Sequence, residues 1–176
     1  MIDTTDVRQA VGAENPDDFW YVLRVRLGGE ERVRNALEVR LDANLHLPFI
    51  PTKKYPFRLK KEEKQQEIKP QDQICFPGYV FVRSQVEQYA FIRKVAPTLN
   101  YIKEAHFFAY YGSDNRDIAM RPHERSRIDA LMDRSFNIGV SKGFVEGDRI
   151  IVIEGPLVGL EGMILRLDRH SIQYHH

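Results

Sequence analysis

The sequence is poor in the residues that staple, ligate or anchor a chain. Its 176 residues include a single cysteine, Cys75, which excludes an internal disulfide framework or a thiolate metal site built from this chain alone. No apolar run approaches the roughly 18 residues a membrane span requires. The N-terminal MIDTTDVRQ has neither the basic start nor the apolar stretch of a secretory signal. These absences predict a cytoplasmic protein with no membrane partner. Net charge is nearly absent as well, because 26 Lys or Arg oppose 25 Asp or Glu to leave +1, and this argues against indiscriminate coating of nucleic acid. Internal repeats are lacking.

Chemistry-bearing patterns are equally scarce. Neither GxGxxG nor the GxxxxGK phosphate loop occurs. The six histidines include no HExxH, and His46, His106 and His123 stand far apart without ligand spacing. His123-Glu124 reads as a polar first helical turn, and His170, His175 and His176 as at most an adventitious metal contact. Asp148 and Glu154 flank glycines and read as turn residues rather than an acid–base pair. Cys75 reads as an unreactive, half-buried thiol. The expectation is no catalytic residue, no metal and no cofactor: a binding protein, not an enzyme.

What the chain does have is 43% hydrophobic content, enough for a core in one large or two small domains. The densest signal lies at 147–162, GDRIIVIEGPLVGLEG. Ile150 to Ile153 is β-branched throughout and enters from a Gly-Asp step, and Gly155-Pro156 ends it because proline offers no ladder donor. Apolar alternation resumes from Gly162 to Asp168. The spacing predicts that 150–153 and 163–167 pair as the start of a small β-barrel.

Upstream, residues 1–18 read as a flexible terminus. Phe19 to Leu27, FWYVLRVRL, alternates as a strand, with Tyr21, Leu23, Val25 and Leu27 on one apolar face and Trp20, Val22 and Arg24 on the other. Gly28-Gly29 stops it. Glu30 to Leu41 then takes helical spacing through Val33, Leu37 and Leu41, with Glu30 and Glu31 complementing the helix N-terminus. His46 to Pro51 is extended, and Cys75 to Arg83 alternates again. Val86, Tyr89, Ala90 and Arg93 can share a helix face behind a Ser84 cap. Pro97 to Ile102 is a strand candidate, 104–117 a loop, and Pro122 the start of a helix with Ile128, Leu131 and Met132 as its stripe. The span 134–143 reads as a linker. This order of elements predicts an α/β (α+β) sandwich, not an all-β domain.

The charge that does exist is uneven. Between Lys53 and Lys69 there are seven Lys or Arg and three Glu, a local +4. The basic residues Lys53, Lys54, Arg58, Lys60, Lys61 and Lys64 could steer a phosphate backbone, joined by Arg121 and Arg125. A solvated arm that only confers solubility is the other reading.

Five segments in order resemble the NusG-type transcription elongation factors: FWYVLRVR at 19–26, FIPTKKY at 49–55, FPGYVFV at 76–82, IAMRPHERSRIDALM at 118–132 and FVEGDRIIVIEGPLVGLEGMILRLDRH at 144–170. RPHE and GFVEGDRI are most similar to the specialised antiterminator branch called LoaP. The resemblance implies an NGN domain at 19–133, an antiparallel sheet flanked by helices, then a linker and an SH3-like KOW barrel over 144–176 whose turn uses Gly147, Asp148, Gly155, Pro156 and Gly162. In the family that barrel continues past the point where this sequence ends, so the module is expected to be incomplete. Monomeric behaviour is expected, with the open barrel edge a place for self-association.

The resemblance further implies a bacterial factor that docks on the clamp helices of RNA polymerase, lies near the upstream DNA, suppresses pausing and, in the LoaP-like branch, reads a nascent RNA hairpin. Carried onto this chain, the polymerase site involves Phe76, Pro77, Gly78 and Tyr79, with Trp20 and Tyr21 beneath or beside them. Core packing is the competing role for these aromatics. A general elongation factor of the same family is the nearest alternative function. A ribosomal or translational KOW protein is more distant, since it has no need of the FWYVLRV and FPGYVFV strands.

Overall fold

The computed structural model describes residues 18–55, 71–109, 117–147 and 149–164. Its centre is a four-stranded antiparallel sheet in the order β2-β5-β1-β6, formed by β1 (Phe19–Val25), β2 (His46–Phe49), β5 (Tyr79–Ser84) and β6 (Ala105–Phe108). Helix α1 (Glu30–Arg40) follows β1, α2 (Gln88–Leu99) follows β5, and α3 (Pro122–Asp129) is the last α-helix among the described residues. The result is the expected α+β sheet flanked by helices.

Because β1 is an inner strand, both of its faces are buried. Tyr21, Leu23 and Val25 pack with Val33 and Leu37 of α1 and with Phe91 and Val95 of α2. Trp20 and Val22 form a second cluster with Phe49, Phe81 and Met120, covered by Ile128 of α3 and by Met132 and Phe136. Alternation alone assigned one apolar face; the inner position requires two. Leu27, assigned to the buried face, lies past the end of the strand and is 71% exposed. The Tyr21 ring stacks on Phe91 with centroids 3.7 Å apart, and its hydroxyl donates to the Val86 carbonyl at 2.7 Å.

Several local expectations are corrected. Ser84 does not cap α2, because it still pairs in β5 with Phe19 and His46. Glu87 does so instead, accepting from the Tyr89 and Ala90 amides. The buried face of α2 is Phe91 and Val95, and Tyr89 is exposed. Pro97 lies inside α2 rather than opening a strand. Residues 105–108, expected in a loop, are strand β6: Phe108 and Phe107 pair with Leu23 and Arg24, so the aromatic run is a sheet edge. Pro122 does open α3 as expected.

A smaller sheet flanks the first in the order β4-β3-β7. Strand β3 (Thr52–Tyr55) pairs antiparallel with β4 (Gln71–Ile74) and parallel with β7 (Asn137–Ile138). Within the span expected as a linker, Asn137 thus pairs with Thr52, and its side-chain amide donates to Asp72 at 3.3 Å.

The described C-terminal residues form an antiparallel hairpin of β8 (Lys142–Glu146) and β9 (Arg149–Glu154), followed by a 3-10 turn at Glu161–Met163. Among the described residues this hairpin does not close into a barrel. Ile150 to Ile153 pairs with the preceding strand, and a 3-10 turn occupies the start of the strand expected at 163–167; residues 165–167 lie outside the described residues. At Gly143 the strands approach so closely that a Cβ would sit 2.3 Å from the Ile151 carbonyl oxygen.

Candidate functional site

The segment FPGY joins the small sheet to the large one. Strand β4 ends at Ile74, the Cys75 amide donates to the Pro51 carbonyl at 2.8 Å, and the chain then reverses before β5. The reversal is a β-turn in which the Tyr79 amide donates to the Phe76 carbonyl at 3.2 Å. Proline at its second position and glycine with φ +85° at its third are the residues a type II turn demands. The turn is tied from two sides. The Val25 amide donates to the Gly78 carbonyl at 2.8 Å, and the Gly78 amide donates to Glu30 Oε1 at 2.7 Å.

This geometry displays Phe76 and Tyr79. Phe76 is 37% exposed and its ring lies 5.5 Å from Phe81, which in turn meets Trp20 edge-on at 6.4 Å. Tyr79 is half-buried against the same Trp20 cluster. Beside the turn lies a depression of about 680 Å³ lined by Pro77, Gly78, Tyr79, Arg24, Arg26 and Phe107, among others. The Arg24 guanidinium lies over the Phe107 ring at 5.7 Å. Neither Arg24 nor Arg26 forms an ion pair within the described residues.

Trp20 and Tyr21, named beside FPGY from the sequence, are 1% and 0% exposed, and burial removes both from direct contact with a partner. Trp20 lies beneath the turn through Phe81. Tyr21 points to the opposite face of the sheet, into the cluster under α1 and α2, and does not contribute to the FPGY surface.

Of the basic residues, Lys53 and Lys54 are exposed on β3. Arg58, Lys60, Lys61 and Lys64 lie outside the described residues. Arg121 is exposed at the N-cap of α3, whereas Arg125 is half-buried and donates to the Asp18 carbonyl. Lys53 nonetheless lies near the segment that leads into the turn: burial raises the Cys75 thiol pKa, and the Lys53 charge partly opposes that shift. In the C-terminal hairpin Gly147 makes the β8–β9 turn with φ +61°, Gly155 follows β9 with φ +99°, Pro156 is half-buried and Gly162 lies in the 3-10 turn; Asp148 lies outside the described residues.

Sequence reasoning missed Glu30 and Phe107. Glu30 had a local explanation at a helix N-terminus that hid its long-range contact, and Phe107 sat in a stretch whose pairing with β1 is non-local. Among the described residues no group of three or more His, Cys, Asp or Glu could hold a metal, and no helix is long and apolar enough to cross a membrane.

Comparison with known proteins gives a family match over the sheet and its three helices: the family NusG, described as transcription termination factor nusG, matches residues 18–129. The chain belongs to the NusG family. Its sequence is 23% identical over 158 residues to the transcription termination/antitermination protein NusG of Streptococcus pyogenes serotype M3, covering 89% of this chain and 85% of that protein. The serotype M1 protein matches to the same extent. A solved structure of Thermotoga maritima NusG, from work on its domain interaction, aligns over 80% of this chain and 75% of its own, with 21% identity and a TM-score of 0.43. NusG membership covers the segment that carries FPGY, α1 and α3.

Proposed function

We propose that this chain is a transcription elongation and antitermination factor that docks on the clamp helices of RNA polymerase through the Phe76–Tyr79 turn. The observation that carries this reading is the turn: two aromatic side chains held at the surface by a fixed backbone, underpinned by Phe81 and Trp20. Rigid aromatic anchors of this kind supply most of the binding energy of protein interfaces. The Streptococcus pyogenes relatives are named for termination and antitermination, which favours the same process here. In this reading the NGN domain spans 19–133, a linker 134–143 and a KOW module 144–176, in a cytoplasmic bacterial protein.

The finer assignment is action on particular operons in the manner of the LoaP branch, with a nascent RNA hairpin as second ligand. RPHE at 121–124, GFVEGDRI at 143–150 and the +4 segment at 53–69 favour it. Lys53 and Lys54, exposed on β3, open that basic segment, whose charge could steer an RNA backbone.

The test is Tyr79→Ala titrated against RNA polymerase core enzyme. Affinity should fall by about 1–3 kcal/mol, the scale of an aromatic anchor, with an unchanged circular dichroism spectrum and reduced readthrough of terminators. Unaltered affinity in a folded variant overturns the docking assignment.

A further inference from the structure

We infer that Glu30 is the positioning residue of the docking turn. In a type II turn the amide of the third residue takes no part in the turn's own hydrogen bond, so the Gly78 N–H must find another acceptor. It finds Glu30, whose side chain reaches from the first position of α1 to place Oε1 2.7 Å from the Gly78 nitrogen. Glu30 is 3% exposed, an unusual environment for a glutamate and one that requires a compensating partner. The bond is charge-assisted, and the α1 N-terminus, which has no side-chain cap, stabilises the same carboxylate.

The consequence is that α1 and β1 grip the turn together. The Val25 amide holds the Gly78 carbonyl while Glu30 holds its amide, so the central peptide units of FPGY are fixed from both sides. Phe76 and Tyr79 leave this turn in opposite chain directions, and their separation depends on its geometry. Without Glu30 the Gly78 N–H would be solvated by rotation of the turn, which moves both aromatics. Pre-ordering lowers the conformational cost of association. This inference rests on the docking reading above, but Glu30's grip on Gly78 is measurable in the free protein.

The experiment uses the full chain and compares Glu30→Ala, Glu30→Gln and Glu30→Asp, with Glu31→Ala as control, since Glu31 is exposed and pairs only with Arg34 among the described residues. Two readouts are taken: the Gly78 amide proton shift and its hydrogen exchange by NMR, and affinity for RNA polymerase core enzyme. Glu30→Gln keeps an acceptor of the same reach and should retain the downfield Gly78 signal and near-normal affinity. Glu30→Asp keeps the charge but loses the reach, and it should behave like Glu30→Ala, with faster Gly78 exchange and roughly tenfold weaker binding, the scale of a lost charged hydrogen bond. Should Glu30→Ala fail to fold, the Gln and Asp variants decide. Equal Gly78 signals and equal affinity in Gln and Asp variants overturn the inference. If the Gly78 signal moves while neither Tyr79→Ala nor Glu30→Asp changes polymerase affinity, the turn is positioned by Glu30 but is not the docking site, and the inference as stated fails with the docking reading.

Discussion

Arg83 on β5 pairs with Asp129 at the end of α3, Nη2 to Oδ1 at 3.1 Å, while its guanidinium lies 5.4 Å from the centre of the Trp20 ring. One side chain thus ties α3 to the aromatic cluster beneath the Phe76–Tyr79 turn. The Arg83 side chain is 6% exposed and Asp129 25%, so the pair is held largely out of water on the arginine side.

Asp129→Ala should therefore destabilise the fold by about 1–3 kcal/mol, because it strips a carboxylate from a buried guanidinium. Partial exposure of Asp129 keeps the effect below that of a fully buried pair. The urea midpoint should drop with the m-value unchanged; a variant within error of the parent contradicts this role.

Gly78→Ala separates backbone strain from steric conflict. A Cβ at Gly78 meets nothing closer than the Val25 carbonyl oxygen at 3.7 Å, so space is available, yet φ is +85°. The expected cost is about 1–2 kcal/mol from the left-handed conformation alone. At Gly143 the order reverses, since a Cβ would strike the Ile151 carbonyl at 2.3 Å. Gly143→Ala should accordingly disrupt the β8–β9 hairpin, seen as faster amide exchange across 149–154, while β1 amides stay protected.

His46 makes stability depend on pH. Its Nδ1 lies 3.0 Å from Ser84 Oγ, its ring meets Phe91 edge-on at 5.6 Å, and its Nε2 has no hydrogen-bond partner among the described residues. Burial lowers its pKa, the Lys94 charge lowers it further, and Asp42 opposes them. A folded pKa below the unfolded one means that the unfolded chain binds the proton more readily. The stabilising contribution is then complete above the ordinary histidine pKa of about 6.5 and declines as pH falls through it. The urea midpoint should fall between pH 8 and pH 5.5, and this slope should flatten in His46→Gln; an unchanged slope would place the titration elsewhere.

Tyr21→Phe removes only the hydroxyl that donates to the Val86 carbonyl and leaves the Phe91 stack in place. A loss of about 1 kcal/mol is expected, the net value of one hydrogen bond, with polymerase affinity unaffected because Tyr21 faces away from the turn. Weakened docking in the folded variant would refute that separation.

Lys60, Lys61 and Lys64 changed together to Ser should reduce RNA affinity, and the dependence of log K on log salt should become shallower by roughly 0.7 for each single-strand phosphate that these lysines no longer neutralise. Identical affinity and slope would assign the segment to solubility alone.

Much of this protein was legible before its fold was known. The strand read at 19–27, the helix at 30–41, the alternation ending at Arg83 and the Pro122 helix start are local features, and the structure keeps them with shorter or shifted bounds at 19–25, 30–40 and 79–84. The FPGY turn is not read as one: Cys75 to Arg83 reads as a single alternating run, whereas the Pro77-Gly78 pair reverses the chain and the strand starts only at Tyr79. Non-local pairing was not legible. Ala105–Phe108 becomes a strand only because β1 offers an open edge, Pro97 stays helical because Phe91 and Val95 anchor α2, and Ile150–Ile153 pairs with 142–146, a partner the spacing did not point to. Tertiary structure alone decided that Trp20 lies under the Phe76–Tyr79 turn while Tyr21 serves the other face, since adjacent strand residues point oppositely and only the layers above and below give each face its role. It also turned Glu30 from a helix-terminal charge into the acceptor for Gly78. Local spacing sets the conformation of a segment, but a hydrogen bond between residues 48 apart exists only once the chain has closed around it.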